Sequence, residues 1–322
     1  MDPVKKRDKG KFNLVTILGP TASGKTRLAA ILAFEIGGEV ISADSRQVYR
    51  RMDLGTGKDF EDYTIKGERI AVHLVDIVEA GYKYNIYEYQ RDFVRAFNTV
   101  TQENKIPILC GGSGMYIEGI LKGYKLIHVP VNRRLRKELE NRSMEDLTQM
   151  LSSFRKLHNV TDTGTSKRLI RAIEIACYYS KHPEINPEFP DIIPVVFGID
   201  MERDMRRKRI SERLQRRFKE GMIDEVRNLL DSGIPPDRLI YYGLEYKFIT
   251  WYLQGRCSCQ EMHRKLETAI HRYAKRQMTW FRGMEKRGIP IRWLDGTLPV
   301  EENIPKIISV LESFNNTAKE IP

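Results

Sequence analysis

The chain has 322 residues, 41% of them hydrophobic and 30% charged, enough for one large or two smaller globular domains with an ample core. No apolar run approaches the roughly 20 residues needed to cross a bilayer. Residues 1–10 are basic without the apolar segment of a signal peptide, so a cytoplasmic, non-membrane protein is expected. A net charge of +11 argues against an enzyme acting only on small metabolites and for a polyanionic partner.

Phe12–Leu18 reads as a buried strand, apolar and β-branched, stopped by Gly19-Pro20. Gly19, Pro20, Thr21, Ala22, Ser23, Gly24, Lys25 and Thr26 then form a G-x-x-x-x-G-K-[ST] loop. Leu28, Ala29, Leu32, Ala33 and Ile36 follow at helical spacing, and Gly37-Gly38 ends the helix. Strand, loop and helix in that order make the phosphate-loop match strong. Backbone amides at a helix N-terminus supply fixed partial positive charge for a di- or triphosphate. Lys25 reaches the outer phosphates and the Thr26 hydroxyl is placed for Mg²⁺.

Further strands are expected at Glu39–Ala43, ending at Asp44, and at Ile70–Val75, ending at Asp76. A helix over Tyr87–Glu103 leads to a strand at Ile106–Cys110 and a second glycine-rich loop, Gly111-Gly-Ser-Gly114. This βαβ series predicts an α/β fold with a parallel, doubly wound sheet. From about Lys125 to Pro187 the chain turns helical and polar, and Ile192–Gly198 resumes the strand pattern. That order predicts a helical domain, 125–187, inserted into a core made of 10–124 and 188–316. The rest is mainly helical, with a late strand near Ile289–Leu294 and a closing helix from about Glu301.

Asp44 carries the most chemistry: a carboxylate at the strand end where the phosphate loop emerges can accept a proton or approach Mg²⁺. Helix capping is the alternative for any such Asp. Asp76 has the same placement and a weaker claim, and Ser113 comes to the same sheet edge with its loop. Eight basic residues lie between Arg203 and Arg217 and eight more between Arg264 and Arg287, each cluster opposed by two acids. Arg209 and Arg213 share one helix face, from which an arginine can reach a phosphate. Tyr241-Tyr242, Trp251-Tyr252 and Trp280-Phe281 can stack on bases, but at helical spacing such residues are more often core. None of the histidines, His158 included, pairs with a nucleophile. Cys257-Ser-Cys259 near His263 lacks a fourth ligand at zinc spacing, so Cys110, Cys177, Cys257 and Cys259 are expected as thiols.

GPTASGKT at 19–26, ISADSRQVYRRMDLGTGK at 41–58, HLVDIVEAGYKYNIYEY at 73–89, GGSGMYI at 111–117, SKRLIRAIEI at 166–175 and RYAKRQMTWFR at 272–282 together resemble the tRNA dimethylallyltransferases. The likeness spans about residues 12–295. It implies a core like the P-loop nucleoside-triphosphate hydrolases with an inserted tRNA-binding helical domain. It also implies dimethylallyl transfer from dimethylallyl diphosphate to the N6 amine of the adenine 3′ to the anticodon, in a monomer. By this resemblance Gly19–Thr26 hold the diphosphate, Thr26 with Mg²⁺, and Arg213 contacts the diphosphate. Asp44 is the general base, and Ser113 stands where the family usually has Thr. Asp44, Ser45, Arg46 and Gln47, with Lys167, Arg168, Leu169, Ile170 and Arg171, touch tRNA. Tyr242–Tyr246 departs from the family's usual G-Y-R/K-E/Q. The phosphate loop alone leaves three other readings open: a kinase, a prenyltransferase for free adenosine phosphates, and a non-catalytic RNA-binding ATPase.

Overall fold

A computed structural model of the chain describes residues 12–154 and 164–317. Residues 1–10, which bear on the cytoplasmic expectation, and His158 lie outside the described residues. The chain divides into two compact units, Met1–Tyr124 with Pro190–Pro322, and Lys125–Phe189.

The first unit opens with β1 (Leu14–Leu18), all five residues buried, then α1 (Lys25–Ile36). Leu28, Ala29, Ala30, Ile31, Leu32 and Ala33 face the core along α1. Each large aliphatic among them contributes about 1.5–3 kcal/mol by leaving water. Gly37 ends the helix in the left-handed conformation (φ 64°), its N–H bonded to the Ala33 carbonyl. β2 (Gly38–Ser42) follows, then the hairpin β3 (Thr64–Ile65) and β4 (Glu68–Arg69). Lys66 and Gly67 both take positive φ in its turn, the geometry a two-residue hairpin loop requires. β5 (Val72–His73) is shorter than the expected Ile70–Val75, because Leu74 (φ 64°) and Asp76 (φ 55°) leave the extended region and break the ladder.

α2 (Ile86–Gln102) starts at an Asn85–Glu88 capping box and leads to β6 (Ile106–Gly111) and α3 (Gly114–Leu121). In the second unit lie α4 (Arg133–Leu139), α5 (Met144–Phe154) and α6 (Ser166–Lys181). They close on a small core that includes Leu139, Leu147, Leu151, Leu169 and Ile173. Under it Glu174, its side chain 1% exposed, accepts hydrogen bonds from Arg136 and Arg171.

The chain returns to the first unit with β7 (Pro194–Asp200) and α7 (Arg203–Lys219). Then come α8 (Met222–Asp231), α9 (Pro236–Tyr241), α10 (Leu244–Leu253), the long α11 (Cys259–Lys286), β8 (Arg292–Asp295) and α12 (Val300–Thr317). The six-stranded sheet runs β5-β2-β6-β1-β7-β8 and every pairing in it is parallel. All six strands therefore deliver their carboxyl ends to one edge, where open α/β sheets bind ligands. The loops after β1, β2 and β6, three neighbours in the sheet, meet there.

Candidate active site

The phosphate loop turns on two left-handed residues, Ala22 (φ 61°) and Gly24 (φ 80°). This winding brings successive amides to one concave side, which favours an anion. A cavity of about 450 Å³ lies over it, walled on one side by Ala22–Thr26 and on the other by Arg209, Glu212, Arg213 and Arg216 of α7, with Asp59 and Asp62 at its margin. Lys25 donates to the Pro20 carbonyl at 3.3 Å, and Arg213 donates to the Thr21 hydroxyl. Neither cation has a carboxylate ion pair among the described residues. Burial pushes the Lys25 ammonium below its usual range and the Arg213 guanidinium down to about 10, the latter aided by neighbouring Arg217. Two poorly hydrated cations facing one cavity call for an anion. The Ser23 hydroxyl, buried in the same loop, has no hydrogen-bond partner among the described residues.

Asp44 follows β2 at the same edge. Its Oδ1 accepts the Arg46 amide at 2.9 Å, which fixes the turn and leaves Oδ2 without a hydrogen bond among the described residues. Asp44 lies close enough to Lys25 to act on its titration. Ser113, at the start of α3, accepts the Ser45 amide at 2.9 Å through Oγ, and its own amide donates to the Ala43 carbonyl. The second glycine loop thus holds the Asp44 turn. Gly111 has no room for a side chain there: a Cβ would sit 2.2 Å from the Ala43 carbonyl oxygen. Gln47 spans the turn, its amide donating to the Gly57 carbonyl at 2.9 Å.

Several site-building residues escaped the sequence reading. Gln277 of α11 is buried, accepts the Thr21 amide at 2.9 Å and donates to the Gly112 carbonyl at 2.9 Å, so one side chain ties the two glycine loops together. Its signal was present: Ile270, Ala274, Gln277 and Phe281 form one buried stripe with a single polar member. Glu225 of α8 accepts the amides of Asp53, Leu54 and Gly55 and the Tyr246 hydroxyl. Lys58, its side chain 1% exposed, donates to the Tyr49 carbonyl, Asp53 and Asp76. Asp76 is therefore the partner of a buried lysine and lies outside the lining of the phosphate cavity. Asp59, paired with the buried Arg217, and Asp62 edge that cavity instead.

Of the aromatic pairs, Tyr242 and Phe281 are fully buried, whereas Tyr241 is 45% exposed. Arg46 lies 5.3 Å and Lys83 5.7 Å from the centre of the Tyr241 ring. In the second unit Lys167 and Arg168 are exposed at the start of α6. Leu169 and Ile170 belong to that unit's core, and Arg171 is bonded to Glu174 and the Val129 carbonyl, so side chains that meet a ligand freely are those of Lys167 and Arg168.

Residues 47–284 match the family model described as IPP transferase. The chain is 57% identical over 305 residues to tRNA dimethylallyltransferase 2 of Phocaeicola vulgatus, covering 95% of this chain and 99% of that one. The chain belongs to the IPP transferase family. A second relative in that family, tRNA dimethylallyltransferase 1 of Parabacteroides distasonis, is 55% identical over 94% of this chain and 98% of its own length. Among solved structures, the full-length tRNA isopentenylpyrophosphate transferase of Bacillus halodurans matches with a TM-score of 0.71 and 31% identity, covering 97% of this chain and 99% of that one. A eukaryotic dimethylallyltransferase acting on tRNA matches with a TM-score of 0.74 at 19% identity over 97% of this chain and 81% of its own, a likeness of fold. The family core is thus the phosphate-loop parallel sheet described above.

Proposed function

We propose that this IPP transferase moves a dimethylallyl group from dimethylallyl diphosphate to the N6 amine of the adenine 3′ to the anticodon in tRNA, releasing diphosphate. One observation supports it most: Lys25 and Arg213 face a single cavity over the phosphate loop without a carboxylate ion pair among the described residues. A diphosphate leaving group supplies the missing charge.

In this reading the target adenine leaves the anticodon-loop stack to expose its amine. The amine lone pair is delocalised into the ring, which makes it a weak nucleophile. As the N6–C bond forms, the allylic C–O bond breaks and its electron pair departs on diphosphate. The free oxygen of Asp44 accepts the amine proton, an effect worth about 10²–10⁴-fold. Ser113 holds the Asp44 turn, and the loop amides, Lys25 and Arg213 meet the growing charge on the leaving group.

Mg²⁺ fits this donor set. The Thr26 hydroxyl and the Asp59 and Asp62 carboxylates line the cavity, and no cluster of three His, Cys, Asp or Glu among the described residues forms a cage. Mg²⁺ is commonly held by one or two protein oxygens plus substrate phosphates. When bound, it adds positive charge beside the diphosphate.

For the tRNA, exposed Lys167 and Arg168 supply phosphate contacts from the second unit, and Ser45, Arg46 and Gln47 lie beside the general base. The insertion 125–187 is read as the tRNA-binding domain, and the protein as a cytoplasmic monomer. Among the described residues no helix is long and apolar enough to cross a membrane. Labelled dimethylallyl diphosphate and an unmodified anticodon stem-loop test the activity: label should appear in the RNA without ATP. ATP consumption with no label transfer, or transfer to AMP in preference to the RNA, refutes it.

A further inference from the structure

The phosphate cavity takes only one face of α7. Another face opens on a second, larger cavity of about 910 Å³ between α7 and α11, at the carboxyl ends of β7 and β8. The two cavities share no lining residue. Its volume is within the range of small-molecule sites, about 300–1,000 Å³.

Arg203, Arg206, Arg207, Arg272 and Lys275 line this cavity and form no ion pair among the described residues. The nearby Arg282 is paired with Asp200. Burial lowers the Arg206 guanidinium pKa, with Arg282 and Arg203 adding to it and Asp200 opposing it, so part of this positive charge is poorly hydrated. The floor is apolar, with Ile210, Met278, Trp293 and Leu294. His271, its side chain 10% exposed, stands in the wall, and its Nδ1 has no partner among the described residues. Asp295, at the end of β8, adds a hydrogen-bond acceptor. Unpaired guanidinium groups over an apolar floor suit a ligand with phosphate at one end and a flat, partly apolar body at the other. Of these cations Arg206 is half-buried, whereas Arg203, Arg207, Arg272 and Lys275 are exposed around the rim.

We propose that this cavity is a nucleotide site separate from the diphosphate site, in which Arg206 and Arg272 hold phosphate and the apolar floor receives the base. The nucleotide is either free or a residue of the bound RNA, and only the RNA source rests on the transfer reading above.

Equilibrium dialysis of labelled ATP in saturating dimethylallyl diphosphate, with filter binding of an unmodified anticodon stem-loop, separates the sources. Both are run on the wild type, on Arg206→Glu with Arg272→Glu, and on Arg206→Gln with Arg272→Gln as a shape-conserving pair. Retained ATP binding that weakens at least about tenfold on charge reversal, and less in the glutamine pair, supports a free-nucleotide site. Displacement of ATP by the diphosphate, with RNA affinity falling by that factor, supports a site for a nucleotide of the RNA. If reversal moves neither affinity, the proposal is overturned. If the glutamate pair loses diphosphate binding through misfolding, the glutamine pair decides by the same criteria. Because binding is read without turnover, failure of prenyl transfer leaves the ATP result interpretable.

Discussion

Asp44 accepts the Arg46 amide with one carboxylate oxygen, and the other has no hydrogen bond among the described residues. Asp44→Ala should lower kcat by at least about 10²-fold while changing diphosphate affinity less than about twofold, as steady-state kinetics and calorimetry would show. An equal loss in both would make it a structural residue. Gln277 lies on the opposite side of the division between chemistry and scaffold. Gln277→Leu keeps the volume but strands the Thr21 amide and the Gly112 carbonyl, each costing about 1–3 kcal/mol when buried without a partner. We expect the KM for dimethylallyl diphosphate to rise about tenfold or more, with kcat falling less. That the glycines, Lys25 and Asp44 share one sheet edge was legible in the sequence, because loop spacing and strand ends are local signals. For Gln277 only its place in a buried helical stripe was visible; its partners lie 165 and 256 residues away. Glu225 was hidden for the same reason: its three amide donors come from another part of the chain.

Among the elements, those the sequence announced are the ones whose signal is local. The β1 and β6 runs, the Gly37 stop and the helix expected over Tyr87–Glu103 all appear where their residues place them. β5 fell short because the positive φ values of Leu74 and Asp76 are set by tertiary bonds such as Asp76 to Lys58. The β3–β4 hairpin has strands of two residues, too short for any periodicity. The basic runs on α7 and α11, visible in the sequence only as clusters of charge, divide their cations among several environments, and Arg217 is buried against Asp59.

In α6, Glu174 lies under two arginines and the Asn132 amide. Burial alone would raise its pKa, but these hydrogen bonds hold it below the usual 4.5. A carboxyl depressed by folding adds stability that is complete above its unfolded value and is lost as pH falls through the lower folded one. Stability of the second unit should therefore decline below about pH 4.5. Glu174→Gln should cost about 3 kcal/mol at neutral pH and flatten that decline in denaturant titrations followed by circular dichroism. An unchanged acid limb would refute the assignment.

At the scale of the whole molecule, the excess of +11 is distributed over both units, and phosphate contacts release counterions. Affinity for the anticodon stem-loop should fall by orders of magnitude between about 50 and 200 mM salt, whereas that for dimethylallyl diphosphate should fall far less. Equal slopes would remove the case for an extended RNA surface. Diphosphate should also raise the melting temperature, since ligand at about 100 times its Kd adds about 2.7 kcal/mol. Lys25→Ala should abolish most of that shift.

The ends of the six-stranded sheet bear on how the protein behaves among its own copies. One margin is β5, two residues long, and the other is β8, four residues long. An incoming strand would find only a short row of open amides and carbonyls at either margin, too little to template continued pairing. A crowded solution should therefore drive little edge-to-edge polymerisation, because the outermost strands stop so early.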